Sequence, residues 1–183
     1  APTATDLLTN STAGVGVEVQ RRNAIVAEAR IRGLRSTQYL TVGDGANFFP
    51  ARLDLDTPVS KFDPGTIRDV IIVKGPYSAL YGPGFSFLDI GTLDSPRYKN
   101  GLEVHGRTGS TYQTNGQRVE GIQSVSVGDR DWGFRGTYNI LQGNDYRSGD
   151  GTNVPSSFAA NNFNFALGFN LTETSQVEFK GLR

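Results

Sequence analysis

The chain has 183 residues, 37% hydrophobic and 20% charged, with 18 Lys plus Arg against 18 Asp plus Glu; this composition suits a folded globular protein and leaves no basic field for nucleic acid. One histidine and no cysteine exclude disulfides, thiolate chemistry and a Cys/His zinc site. No run of about 18 apolar residues occurs, which excludes a transmembrane helix but not a membrane strand, apolar only at alternate positions.

The opening "APTATDLL" lacks a basic region followed by an apolar core, so no signal peptide is expected within it. In "TATDLLTNS", Thr5 is expected to cap one or two helical turns. "GVGVEVQ" (Gly14 to Gln20) and "AEARIRGL" (Ala27 to Leu34) alternate as strands, joined by the loop "RRNAIV". "TQYLTVGDGANFF" predicts a strand running into the turn Gly43-Asp44-Gly45. "DPGTIRDVIIVKG" predicts a proline-initiated turn, a helical segment at Thr66 to Asp69 and a buried strand from Val70 to Val73. It leads into "KGPYSALYGPG", which sets three glycines, two prolines and two tyrosines in eleven positions. Residues 1–100 are therefore expected to form a small α+β domain.

From Gly101 the pattern changes to long period-2 segments. In "LEVHGRTGSTYQ" one face holds Leu102, Val104, Gly106, Thr108, Ser110 and Tyr112, and the other holds Glu103, His105 and Arg107. "RVEGIQSVSV" places Val119, Gly121, Val125 and Val127 on one side, with Gln123 the exception. The tight turn "GDRD" leads to "WGFRGTYNI", which alternates Trp132, Phe134, Tyr138 and Ile140 outward against Arg135, Thr137 and Asn139. A polar loop is expected from Gly143 to Asn161, then "NFNFALGFNL", the turn "TETS" and a fifth segment, "QVEFKGLR". Strands of about ten residues, alternating short and long connections, and aromatic residues at strand ends such as Tyr112 and Trp132 fit a membrane β-barrel. A soluble β-sandwich gives the same alternation.

The stretch "IRGLRSTQYLTVGDG", followed by "TIRDVIIVKGPYSALYG", resembles the plug domain of TonB-dependent outer-membrane receptors. In that family an "IRG" strand, a "DG" turn and an "ERIEVLRGPxSxLYG" segment occur in this order. The likeness covers Asp6 to Pro96, with Ile71 at a family acidic position and Asp89 at a family asparagine. It implies an α+β plug over residues 1–100, then antiparallel transmembrane strands over 101–183, in the outer membrane. A plug of this size needs a barrel of about 22 strands, and residues 101–183 supply four and part of a fifth. The remaining strands are expected from the same or another polypeptide.

The resemblance further implies three plug apices, near Gln20 to Val26, Asp44 to Asp56 and Tyr77 to Gly84. Ligand-binding candidates are Tyr81, the apex tyrosine; Arg21 and Arg22, with Asn23, whose guanidinium groups suit an anionic chelate; and Asn47, Phe48 and Phe49, an amide with two aromatic faces. Arg32, Arg35 and Lys74 are expected to pair with barrel carboxylates, Glu103 and Glu120 among them. His105 is expected to be a hydrogen-bonded lumen group, and Asp54 and Asp56 loop acids. No cofactor is expected, and neither a Gly-x-Ser-x-Gly motif nor a phosphate loop points to an enzyme. The implied partners are outer-membrane lipid, a TonB-type coupling protein and a scarce imported ligand such as a ferric siderophore, cobalamin or oligosaccharide. A scaffolding role in an envelope assembly is the alternative.

Overall fold

The computed structural model describes residues 4–9, 16–21, 26–47, 59 and 62–183. The chain forms two compact units that meet at the Thr92–Leu93 bond.

The first unit begins with α1 (Ala4–Thr9), so Thr5 lies inside the helix rather than capping it. Ala4 and Leu8 are buried, and their spacing of four puts both on one helical face. Strands β1 (Val17–Arg21) and β2 (Ala27–Ile31) pair antiparallel, with Val17 opposite Ile31. Arg21, expected in the loop from Arg21 to Val26, instead ends β1; residues 22–25 lie outside the described set.

A four-stranded sheet follows in the order β4-β3-β6-β5, from β3 (Leu40–Gly43), β4 (Ala46–Asn47), β5 (Ile67–Lys74) and β6 (Ser86–Thr92). Between β3 and β4, Asp44 (φ 49) and Gly45 (φ 82) both have positive φ, as a two-residue hairpin turn of primed type requires. The Asp44 carboxylate accepts bonds from the Thr92 backbone N–H at 2.9 Å and the Thr92 hydroxyl at 2.5 Å, tying the turn to the end of β6.

Two expectations fail around β5. A one-turn 3-10 helix spans Pro64–Thr66, with Asp63 accepting from the Gly65 N–H at 2.8 Å, and the strand begins at Ile67, so of the helical segment expected at Thr66 to Asp69 only Thr66 is helical. β5 is also not buried: Ile71 is 51% exposed, because β5 is the sheet edge with β6 as its one neighbour. The buried strand is β6, where every residue but Asp89 is buried, because it is hydrogen-bonded on both sides. Leu40, Val42 and Phe87 form a core cluster there, with Val73 packed against it.

The second unit is an antiparallel meander in the order β13-β12-β9-β8-β7. It comprises β7 (Glu103–Gln113), β8 (Arg118–Gly128), β9 (Trp132–Gly143), β12 (Phe158–Asn170) and β13 (Gln176–Leu182), with the two-residue strands β10 (Tyr146–Arg147) and β11 (Asn153–Val154) pairing between β9 and β12. The polar loop is thus shorter than Gly143 to Asn161: Gly143 pairs with Phe158 and Ile140 with Asn161, since backbone pairing continues past the apolar alternation. In the turn after β8, Asp129 accepts bonds from the Asp131 and Trp132 N–H groups at 2.8 and 3.1 Å. These bonds hold its carboxyl below the usual carboxylate range.

The faces of these strands are inverted relative to a water-soluble sheet. On β9 and β12 the covered side chains are polar or small, Thr137, Asn139, Asn164 and Ala166, while Tyr138, Ile140, Phe163 and Phe169 are exposed. At about 3.4 Å per residue and a tilt near 45°, an 11-residue strand rises about 26 Å, matching an outward apolar band about 25 Å tall. No helix among the described residues is long and apolar enough to cross a membrane.

Candidate functional site

The loop after β5 is built to hold an aromatic surface rigidly. Gly75 (φ 80, ψ −153) takes a conformation that residues with a Cβ rarely adopt, and Pro76 then starts the 3-10 turn Pro76–Leu80. Ser78 is the hub: its hydroxyl donates 2.8 Å to the Gly75 carbonyl and 3.1 Å to that of Gly84. A Cβ on Gly84 would lie 3.1 Å from the Leu40 nitrogen, so the glycine lets the loop return directly onto β3. The Phe85 N–H then bonds to the Gln38 carbonyl at 3.0 Å.

Tyr81 stacks on Phe87 with ring centroids 4.5 Å apart and 15° between planes, and Phe87 belongs to the Leu40–Val42 core. Around it Tyr77, Leu80 and Phe85 are exposed, Leu80 by 83%. Sequence reasoning had singled out Tyr81 but not these three; the aromatic density of "PYSALYGPGF" was the available signal. Such a surface can stack on a flat chelate or a sugar face.

The other ligand candidates are dispersed. Arg21, at the end of β1, and Asn47, in β4, are exposed, whereas Arg22, Asn23, Phe48, Phe49, Asp54 and Asp56 lie outside the described residues. Arg32, exposed at φ 53, donates its N–H to the Gly16 carbonyl at 2.7 Å. Its guanidinium lies 3.7 Å from where a Cβ on Gly75 would sit, at the base of the Tyr81 loop. Arg35 is exposed with its N–H bonded to Gln38 Oε1 at 3.0 Å, and Lys74, half-buried, ends β5.

On the polar face of the meander, Glu103 and Glu120 are half-buried. Glu103 Oε2 lies 2.9 Å from His105 Nε2, and the His105 ring tilts against Tyr98 at 5.0 Å, so the histidine is hydrogen-bonded as expected. No cluster of acidic, histidine or cysteine side chains suited to a metal occurs among the described residues. Sequence reasoning missed Ser95, Arg97 and Glu178: Glu178 Oε1 accepts the Ser95 N–H at 2.5 Å across the meander. Ser95 and Arg97 lie outside any strand, so only the path of the segment over β13 brings them to Glu178.

Residues 1–87 match the family model described as the TonB-dependent Receptor Plug Domain. No curated protein matches the chain. Among solved structures, the copper transporter OprC aligns with a TM-score of 0.83 at 24% identity, covering 100% of this chain and 28% of that one. The FrpB iron transporter from Neisseria meningitidis aligns at 0.73 and 16% identity, covering 100% of this chain and 29% of that one. A mutant of the ferric enterobactin receptor PfeA from Pseudomonas aeruginosa, in complex with enterobactin, aligns at 0.61 and 15% identity, covering 99% and 32%. These identities show a shared fold, and the chain spans 28 to 32% of those three structures.

Proposed function

Residues 1–87 belong to the TonB-dependent receptor plug domain family, and from that premise we propose that the chain is the plug and first barrel strands of an outer-membrane receptor that imports a scarce ligand. The exposed rings of Tyr77, Tyr81 and Phe85 in one loop, with Tyr81 stacked on Phe87, carry this reading. A ferric siderophore, a metal ion, cobalamin or an oligosaccharide is bound at the apices and admitted when TonB-type force from the periplasm rearranges the plug. Relatives of the same fold are a copper transporter and an enterobactin-bound receptor, which supports a metal or a metal chelate as the cargo.

In this reading Tyr81 stacks on the ligand. Arg21 and Arg22 supply cationic donors, and Asn47, Phe48 and Phe49 complete the apical surface. Because Tyr81 is already stacked and Ser78 closes the loop, little conformational entropy is lost on binding. Arg32, Arg35 and Lys74 serve as plug anchors toward wall carboxylates such as Glu103 and Glu120. The inverted faces of β9 and β12 support insertion of the strands in the outer membrane, with further strands closing the barrel.

The test is uptake of copper, ferric chelates, cobalamin and maltooligosaccharides by cells carrying the full-length receptor, with and without a proton-motive force. Energy-dependent uptake of one of them, with binding weakened about tenfold or more by Tyr81→Ala, is expected. Uptake indifferent to the proton-motive force would favour the scaffolding role instead.

A further inference from the structure

The segment leaving the first unit, Asp94–Lys99, lies on a surface made for it. Register sets Glu103, Gly128, Gly133, Gly168 and Glu178 side by side across β7, β8, β9, β12 and β13: three glycines in a lateral row with a carboxylate at each end. The missing side chains make room for backbone. A Cβ on Gly133 would collide with the Pro96 carbonyl, one on Gly168 with the Ser95 hydroxyl, and one on Gly128 would lie 3.2 Å from the Pro96 oxygen.

Polar contacts spread over the meander hold the segment there. Lys180 Nζ reaches Asp94 Oδ1 at 2.7 Å, Glu178 accepts the Ser95 N–H, and Arg97 Nε donates to Asn170 Oδ1 at 3.2 Å. The Tyr98 N–H bonds to the Asp129 carbonyl at 3.0 Å, and Arg130 Nε donates to the Lys99 carbonyl at 2.7 Å. Peeling the segment away requires breaking these contacts and exposing the row together. Thr92, one bond before Leu93, is tied instead to Asp44 in the other unit.

We propose that the glycine row is a permanent seat for Asp94–Lys99, which stays on the strands while the plug rearranges, so that force transmitted through the plug stops at the Thr92–Leu93 bond. This inference rests on the transport reading above.

The experiment uses the full-length receptor, with any cysteine outside this chain replaced, and joins Ser95→Cys to Gly168→Cys. Disulfide formation is expected, with uptake kept within about twofold of the reduced form. Uptake abolished by the cross-link and restored by reduction would overturn the permanent seat, as would failure of a folded receptor to cross-link. A variant that keeps the row intact, Ser95→Cys alone, is labelled with maleimide in energised and de-energised cells: equal rates are expected, and faster labelling under energy overturns the proposal. Separately, Gly133→Val in the purified receptor is expected to raise trypsin cleavage after Arg97 about tenfold or more, with Gly149→Val as the silent control; unchanged cleavage in Gly133→Val overturns it. If the receptor shows no energised uptake, the transport reading fails, while the cross-link and protease results still decide whether the seat exists.

Discussion

β6 of the first unit and β12 of the second are both rich in phenylalanine, leucine or isoleucine, yet they treat those residues in opposite ways. In β6 Phe87, Leu88 and Ile90 are buried between two neighbouring strands, while in β12 Phe163 and Phe169 are exposed and Asn164 is covered. Leaving large apolar side chains in water costs about 1.5 to 3 kcal/mol each, and lipid removes that cost. The two units therefore follow opposite burial patterns, one covering its apolar side chains and the other, as the proposed membrane insertion requires, presenting them outward.

The sharpest way to break that contrast is to truncate one residue of each kind. Leu88→Ala is expected to cost about 2–5 kcal/mol, because Leu88 is fully buried; Phe179→Ala, on the outward face of β13, should stay within about 1 kcal/mol in detergent. Denaturant titration of both variants checks this, and equal losses would end the distinction. Next in size, Val125→Arg on the outward face should destabilise the refolded receptor in vesicles by about 2–4 kcal/mol. Ser124→Arg, one residue away and on the opposite, polar face, should cost less than half as much; a reversed order would put the apolar face elsewhere.

Smaller effects separate the polar devices of the two units. Thr92→Val removes the hydroxyl bond to Asp44 but keeps the backbone one, for an expected loss of about 1 kcal/mol in thermal or chemical unfolding. In the β9–β12 loop, Asp150 accepts bonds from the Ser148 hydroxyl and Thr152 N–H, and its pKa falls from 3.8 to about 2. Asp145 is lowered too, by the Ser156 and Ser157 N–H groups. A depressed acid contributes stability above its ordinary value and loses it as pH falls through the folded one. Amide exchange at Thr152, Ser156 and Ser157 should therefore accelerate as pH drops from about 4 toward 2 beyond the intrinsic trend; no acceleration would dissociate these carboxylates from loop order.

Asp89 provides the opposite sign and the smallest effect. Partial burial raises its pKa, with Asp69 and Asp44 adding repulsion. Its charge thus opposes folding above the raised value, and the penalty vanishes below the ordinary one. Asp89→Asn should raise the melting temperature slightly at neutral pH, with the gain disappearing in acid; destabilisation at neutral pH would assign Asp89 a bonding role instead.

How much of this was legible differs by feature. The turns at Asp44-Gly45 and Asp129–Asp131, the aromatic loop around Tyr81 and the alternation in the long strands all follow from local chemistry, and they were readable. "VIIV" misled because an apolar run reports a strand without reporting its neighbours: β5 fell at the edge and β6, with its serine, aspartate and glycine, at the centre. Ser95, Arg97 and Glu178 were invisible for the same reason, since more than eighty residues separate Ser95 from Glu178.

By itself the sequence determined the alternation of the long strands and the tight turns at Asp44-Gly45 and Asp129–Asp131, because backbone sterics and a period of two act within a few residues. Only the tertiary structure decided which strand is central and which glycines share one row, because register and neighbour choice come from pairing between segments distant in the chain.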